Sequence, residues 1–208
     1  MDIQFYGANC LTITTKQARL VIDDNLAELG AKPVIKEGDI ALYTQNHPLP
    51  SAMTKLLIDS PGEYEVSGVN VQGIAARAHT DEAGQHNATM YRIISDDVRI
   101  VITGHIFPEL TNAQLELLDS VDVLVIPVGN SGYTLDSAGA LEVIKRIEPK
   151  LVIPTHYGDK TLHYPVPQVS LEEALKGLAM EPKASLAKLR VKPSELTDTT
   201  QLIVLERQ

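Results

Sequence analysis

Six histidines, His47, His79, His86, His105, His156 and His163, are the side chains best suited to chemistry in this chain. Neutral imidazole binds zinc at neutral pH and can also carry a proton, since its unperturbed pKa lies at about 6.5. Four of the six follow closely on a run that reads as a strand. His47 comes after Asp39–Tyr43, His79 after Val69–Ala75, His105 after Val98–Ile102 and His156 after Leu151–Ile153. In sheet-based folds the loops at strand ends converge on one rim and carry the site. Imidazoles delivered there from four places in sequence would make a metal site, and an all-imidazole set leans toward zinc. Each one taken singly is also explained as a loop histidine bonded to backbone or water. His86 and His163, in polar loops, are read only that way.

Other reactive residues are less well placed. Glu63 and Glu65 alternate with Tyr64 and share one strand face, a spacing that suits acid–base work and equally a solvated edge. Asp122 opens a buried strand, where it would satisfy backbone donors. Gly129-Asn130-Ser131-Gly132 lacks the Lys-Ser/Thr that follows a phosphate-binding loop. Ser131 and Cys10 have no neighbouring pattern that would mark a nucleophile.

The elements that must position these residues are short. Asp2–Tyr6, Cys10–Thr14 and Arg19–Ile22 carry apolar, β-branched patterns separated by turn residues, and read as strands. Asp39–Tyr43, Lys55–Ile58, Tyr64–Val66, Val69–Ala75, Thr89–Ile94 and Val98–Ile102 extend that series. Helices then enter. Thr111 with Gln114 forms a capping box for a helix through Leu118, and Asp136 or Ser137 caps one carrying Leu141, Ile144 and Ile147. Ser170 with Glu173 opens a third, to about Met180. Val121–Val128 and Leu151–Ile153 are buried strands between the helices, and strands near Ser185–Val191 and Gln201–Leu205 close the chain. Strands in the first half and alternating helices and strands in the second predict an α/β fold with helices on the outer faces of its sheets. No fixed-period repeat or low-complexity linker divides residues 1–208, so one domain is expected.

Composition excludes several functions. Among 208 residues, 18 Lys and Arg face 27 Asp and Glu, a formal charge of -9, which disfavours a nucleic-acid partner. Aromatics make up 4% with no Trp, so base stacking or aromatic sugar platforms are not the main business. One cysteine, Cys10, allows neither a disulfide framework nor a thiolate zinc cluster. The N-terminal residues lack the pattern of a signal peptide, and no apolar run approaches the roughly twenty residues of a membrane span. These points predict a cytoplasmic protein without membrane attachment and leave a small-molecule substrate open. A homo-oligomer is left open.

Several segments resemble a subgroup of the metallo-β-lactamase superfamily. Pro61-Gly62-Glu63-Tyr64-Glu65-Val66-Ser67-Gly68-Val69 is similar to its "PGEYE-x-x-G-V" segment, and Val121–Gly129 to its "DVLLIPVG" strand. Tyr133-Thr134-Leu135-Asp136 and Glu148-Pro149-Lys150-Leu151-Val152-Ile153-Pro154-Thr155-His156-Tyr157 resemble two further segments, in the same order. The subgroup is similar to the ascorbate-6-phosphate lactonase-like branch, often described as Zn-dependent hydrolases. The resemblance implies a metallo-β-lactamase-like four-layer αββα sandwich with a metal site at one sheet edge.

The departures from that pattern are as informative. Where the family has His-x-His-x-Asp-His, this chain has Gln45-Asn46-His47-Pro48-Leu49-Pro50, keeping only the second histidine. The next family histidine falls on His79, the bridging aspartate on His105 and the last histidine on His156. The family's aspartate in a Thr-Asp-Pro turn falls on Asp23, whose role would be to orient a metal-binding histidine from behind; a turn-forming aspartate is the plainer reading. Leu49 and Pro50 cannot coordinate an ion, and His105 is a poor bridge, so a dinuclear centre is not expected. A mononuclear hydrolase remains, with one zinc on His47, His79 and His105 and with His156 as fourth ligand or catalytic acid–base group. Its substrate would be an ester, lactone or phosphodiester. The alternatives are a metal-free binding or scaffold protein and a closed, purely structural zinc site.

Overall fold

The computed structural model describes residues 1–208. Two mixed sheets lie face to face. The first is built from β1 (Asp2–Gly7), β2 (Cys10–Thr14), β3 (Arg19–Ile22), β4 (Ile40–Leu42) and β5 (Leu56–Ile58). The second takes β6 (Gly62–Val66), β7 (Val69–Ala76), β8 (Ala88–Ser95) and β9 (Val98–Ile102). It continues through β10 (Val123–Pro127), β11 (Leu151–Thr155), β12 (Pro182–Leu186) and, beyond β13 (Leu189–Arg190), β14 (Gln201–Leu205). The strand orders are β13-β1-β2-β3-β4-β5 and β12-β14-β11-β10-β9-β8-β7-β6.

The residue patterns explain the layering. β10 is buried at all five positions because both of its faces are covered, which is why it reads as a continuous apolar run. Period two then divides its side chains. Val123 and Val125 face the core between the sheets, with Ile3, Leu11, Ile13 and Ile93. Leu124 and Ile126 face the helices. Those helices are α1 (Asn112–Leu118), α2 (Ser137–Ile147) and α3 (Leu171–Leu178). They bury Leu118, Val143, Ile144, Ala174 and Leu178 against the second sheet. The outer face of the first sheet is covered by the segment after β3, whose Leu26, Leu29 and Ile35 pack on Cys10, Val21 and Tyr43.

Local signals account for the element ends. Thr111 and Gln114 form the reciprocal capping box of α1, and Asp136 accepts from the Gly139 amide at the start of α2. At α3 only half of the expected box forms: Ser170 accepts from the Glu173 amide, and the helix ends at Leu178 with Ala179 left-handed. The predicted strand at Ser185–Val191 is a correction. It divides into β12, parallel to β14, and β13, antiparallel to β1 in the other sheet. Leu186, Leu189 and Val191 all still meet the core between the sheets. Apolar periodicity reports that shared burial and is blind to which sheet supplies the hydrogen bonds.

Strand direction sets up the site. β9, β10 and β11 are parallel, and β7 is antiparallel to β8, which is antiparallel to β9. The chain therefore leaves β7, β9 and β11 at the same rim of the second sheet. His79, His105 and His156 follow those three ends. His47 follows β4, in the first sheet.

Candidate functional site

His105 stands at the centre of this rim, 3% exposed. It is delivered by Gly104, whose φ of 62° favours glycine. A Cβ there would lie 2.8 Å from Cγ2 of Thr44 and closer still to its Cβ and Oγ1. The turn after β9 is thus pressed directly onto the end of the first sheet. The His79 amide donates to the His105 carbonyl at 2.7 Å, and Ala78 and Ile106 pair as an antiparallel bridge. The loops after β7 and β9 are held together by these main-chain contacts.

His156 comes from the opposite side. Its φ is 58°, and its amide donates to the Ala8 carbonyl at 2.7 Å, tying it to the turn between β1 and β2. The rings of His105 and His156 meet edge to face, with centroids 4.6 Å apart. Tyr133 closes on both, at 5.0 Å from His105 and 6.0 Å from His156, and Tyr164 lies 5.4 Å from His156. Gln45 donates to the Tyr133 hydroxyl at 3.0 Å. His156 Nδ1 is 3.2 Å from Gln168 Oε1. The amide oxygen can only accept, so Nδ1 carries the proton and Nε2 keeps its lone pair.

Burial keeps both rings neutral. It pushes the His105 pKa well below the ordinary histidine value, and neighbouring His156 and His79 add to the effect. Burial likewise lowers His156 to about 4, against the opposing effect of the hydrogen bond it donates to Gln168. What sets His105 apart is that neither ring nitrogen has a hydrogen-bond partner, and His79 Nδ1 is buried and unpartnered as well. An unsatisfied buried polar atom costs about 1–3 kcal/mol, so three such nitrogens at one rim call for a physical reason.

His47 stands apart from this cluster. Its ring stacks on Tyr43 at 3.9 Å, with Nδ1 2.6 Å from the Pro48 carbonyl and Nε2 3.3 Å from Asp59 Oδ2. Both nitrogens are committed, and the ring lines a polar pocket of about 270 Å³ with Gln45, Asn46 and Asn87. The sequence expectation placed His47, His79 and His105 on one ion, with His156 as a fourth ligand or an acid–base group. The structure brings together His79, His105 and His156 and leaves His47 on Tyr43 and Asp59.

Asp23 touches no histidine. Its carboxylate accepts from Asn9 Nδ2 at 2.5 Å and from the amide and hydroxyl of Thr44, each at 2.7 Å. Burial raises its pKa from the ordinary value, more than those donors lower it. Asn9 Oδ1 in turn accepts from the Thr155 hydroxyl at 2.6 Å, one residue before His156. Asp23 reaches His156 by hydrogen bonds through Asn9 and Thr155, and it feels His47 only through charge. Sequence reasoning missed Asn9, Thr155, Tyr133, Tyr164 and Gln168. Tyr133 and Thr155 stood in segments singled out, Tyr133-Thr134-Leu135-Asp136 and the one from Glu148 to Tyr157, and none of the five types signals a site by itself.

The donor chemistry of His79, His105 and His156 fits one metal ion: three imidazoles, with three buried nitrogens of His79 and His105 unpartnered. Their present side-chain positions do not gather three His, Cys, Asp or Glu donors into a ligand group. Uptake of an ion would require these rings to reorient.

The chain resembles known proteins along most of its length. Residues 2–156 match the model of the beta-lactamase superfamily domain. A metal-dependent hydrolase of Thermoplasma acidophilum is 28% identical over 104 residues, 48% of this chain and 45% of that protein. This chain thus matches less than half the length of that curated relative. Among solved structures, one described as a Zn-dependent hydrolase of the metallo-β-lactamase superfamily from Thermotoga maritima superposes with a TM-score of 0.76. It is 21% identical, with 99% of this chain and 98% of that one covered. One described as a metal-dependent hydrolase from Parabacteroides distasonis gives a TM-score of 0.67 at 17% identity, covering 99% and 93%. At those identities the two structures bear on the fold alone.

Proposed function

The chain belongs to the beta-lactamase superfamily, and on that premise we propose that it is a metal-dependent hydrolase with a reduced site for one ion, zinc by ligand type. The observation that carries this reading is His105, buried and edge to face with His156, with both ring nitrogens unpartnered. His79, His105 and His156 would hold the ion, and His47 would not. A bound zinc supplies Lewis acidity and lowers the pKa of a water toward about 7. The protein's own residues supply the rest. Gln168 fixes the His156 tautomer so that Nε2 is free either to bind the ion or to take a proton. Tyr133, whose ring lies against both and whose hydroxyl accepts from Gln45, would donate that hydroxyl toward a substrate oxygen. The substrate proposed is an ester, lactone or phosphodiester small enough to reach this rim.

A second reading is a metal-free binding protein on the same fold. It is favoured by the absence of three converged donors and by the commitment of His47 to Asp59. Elemental analysis of protein purified without chelator separates the two. The hydrolase reading expects about one zinc per chain, lost in His105→Ala. Protein that holds no zinc after incubation and washing would overturn it and leave the binding protein.

A further inference from the structure

A cavity lies away from the histidine rim, between the covering segment of the first sheet and residues Arg207 and Gln208. We propose that this cavity binds a phosphorylated small molecule. It encloses about 530 Å³, within the range of small-molecule sites. Four of its lining residues are cations, Arg19, Lys32, Lys36 and Arg207, and none has an acidic side chain. In a chain with 27 acidic and 18 basic residues, a wall of cations alone is a local reversal of charge. Like charges placed together repel, and a bound anion relieves that repulsion.

The two arginines are held from behind. Arg19 Nη1 bonds Asp39 at 2.5 Å and its guanidinium also reaches the Val34 carbonyl. Arg207 Nε bonds the Tyr6 carbonyl at 2.8 Å, and Nη1 bonds Asp159 at 2.9 Å and the Thr161 hydroxyl. Asp39 and Asp159 balance two of the four charges from outside the lining. Lys32 and Lys36 are exposed and enter no ion pair, so two unpaired cationic side chains face the cavity. Two unpaired lysines suit the charge of a phosphate dianion, and the anchored guanidinium groups add fixed N–H donors beside them. Leu26 and Val34 give the same cavity an apolar side against which the rest of a ligand can lie.

Titration calorimetry at low salt, with inorganic phosphate and glycerol 3-phosphate, tests the proposal. The expected result is one saturable site, weakened about tenfold or more in the pair Lys32→Glu/Lys36→Glu. Charge reversal at two exposed lysines elsewhere, Lys16→Glu/Lys145→Glu, is expected to leave it within about twofold. Both pairs lie on exposed positions, so loss of fold does not confuse the comparison. Absence of saturable binding, or equal weakening by the two pairs, overturns the proposal. So does binding that His105→Ala abolishes while the Lys32/Lys36 pair leaves it intact, since the anion would then sit at the histidine rim.

Discussion

Thr155 donates its hydroxyl to Asn9 Oδ1 at 2.6 Å across 146 residues of sequence, joining the end of β11 to the turn between β1 and β2. Both side chains are buried, and the other end of Asn9 donates to Asp23. One amide therefore couples the two sheets immediately behind His156. Replacing Asn9 with Ala leaves a buried carboxylate and a buried hydroxyl each short of a partner. The expected cost is about 2–4 kcal/mol of unfolding free energy, read from urea denaturation. A change below about 0.5 kcal/mol would remove the coupling role, because a solvated surface contact is worth no more than that.

His105→Leu distinguishes the two readings of the rim by stability. With no metal present, the leucine removes two unpartnered nitrogens from a buried position, and the variant should equal or exceed the parent in thermal midpoint. Added zinc should then raise the midpoint of the parent and leave the variant where it was. Equal zinc-induced shifts in both proteins would place any bound ion elsewhere.

Gly104→Ala should destabilise the protein by about 2–4 kcal/mol, combining a left-handed backbone with a collision against Thr44. The displaced turn carries His105, so zinc uptake should fall with it. Gly84→Ala shares a positive φ but meets nothing within 4 Å. It should cost only the backbone term of about 1–2 kcal/mol, with zinc uptake unchanged.

Asp159 provides an acid-sensitive clasp at the C-terminus. Burial opposes its ionisation, but bonds from Thr161 and Arg207 outweigh this and hold its pKa below the ordinary 3.8. A depressed folded pKa contributes stability that is complete above the unfolded value and is lost as pH falls through the folded one. Asp159→Asn should therefore lower the urea midpoint at about pH 7, with the gap to the parent shrinking at about pH 2.5. A gap of constant size across that range would show that the carboxylate charge contributes nothing.

The sequence by itself determined the strand and helix series, because each element has a local cause. Alternation in β1, apolar continuity in β10, and the caps Thr111, Asp136 and Ser170 act within a few residues of where they stand. It also placed His79, His105 and His156 after strand ends, and strand direction then brought those ends to one rim. Tertiary structure alone decided which histidines share a neighbourhood. His47 has the same residue type and loop setting as the others, yet Tyr43 and Asp59 hold it apart. The division of Ser185–Val191 between two sheets and the roles of Asn9, Thr155 and Gln168 were likewise invisible in sequence. The physical reason is range. Propensity, periodicity and capping act over one or two turns of chain, whereas a hydrogen bond across 146 residues exists only after two sheets have packed.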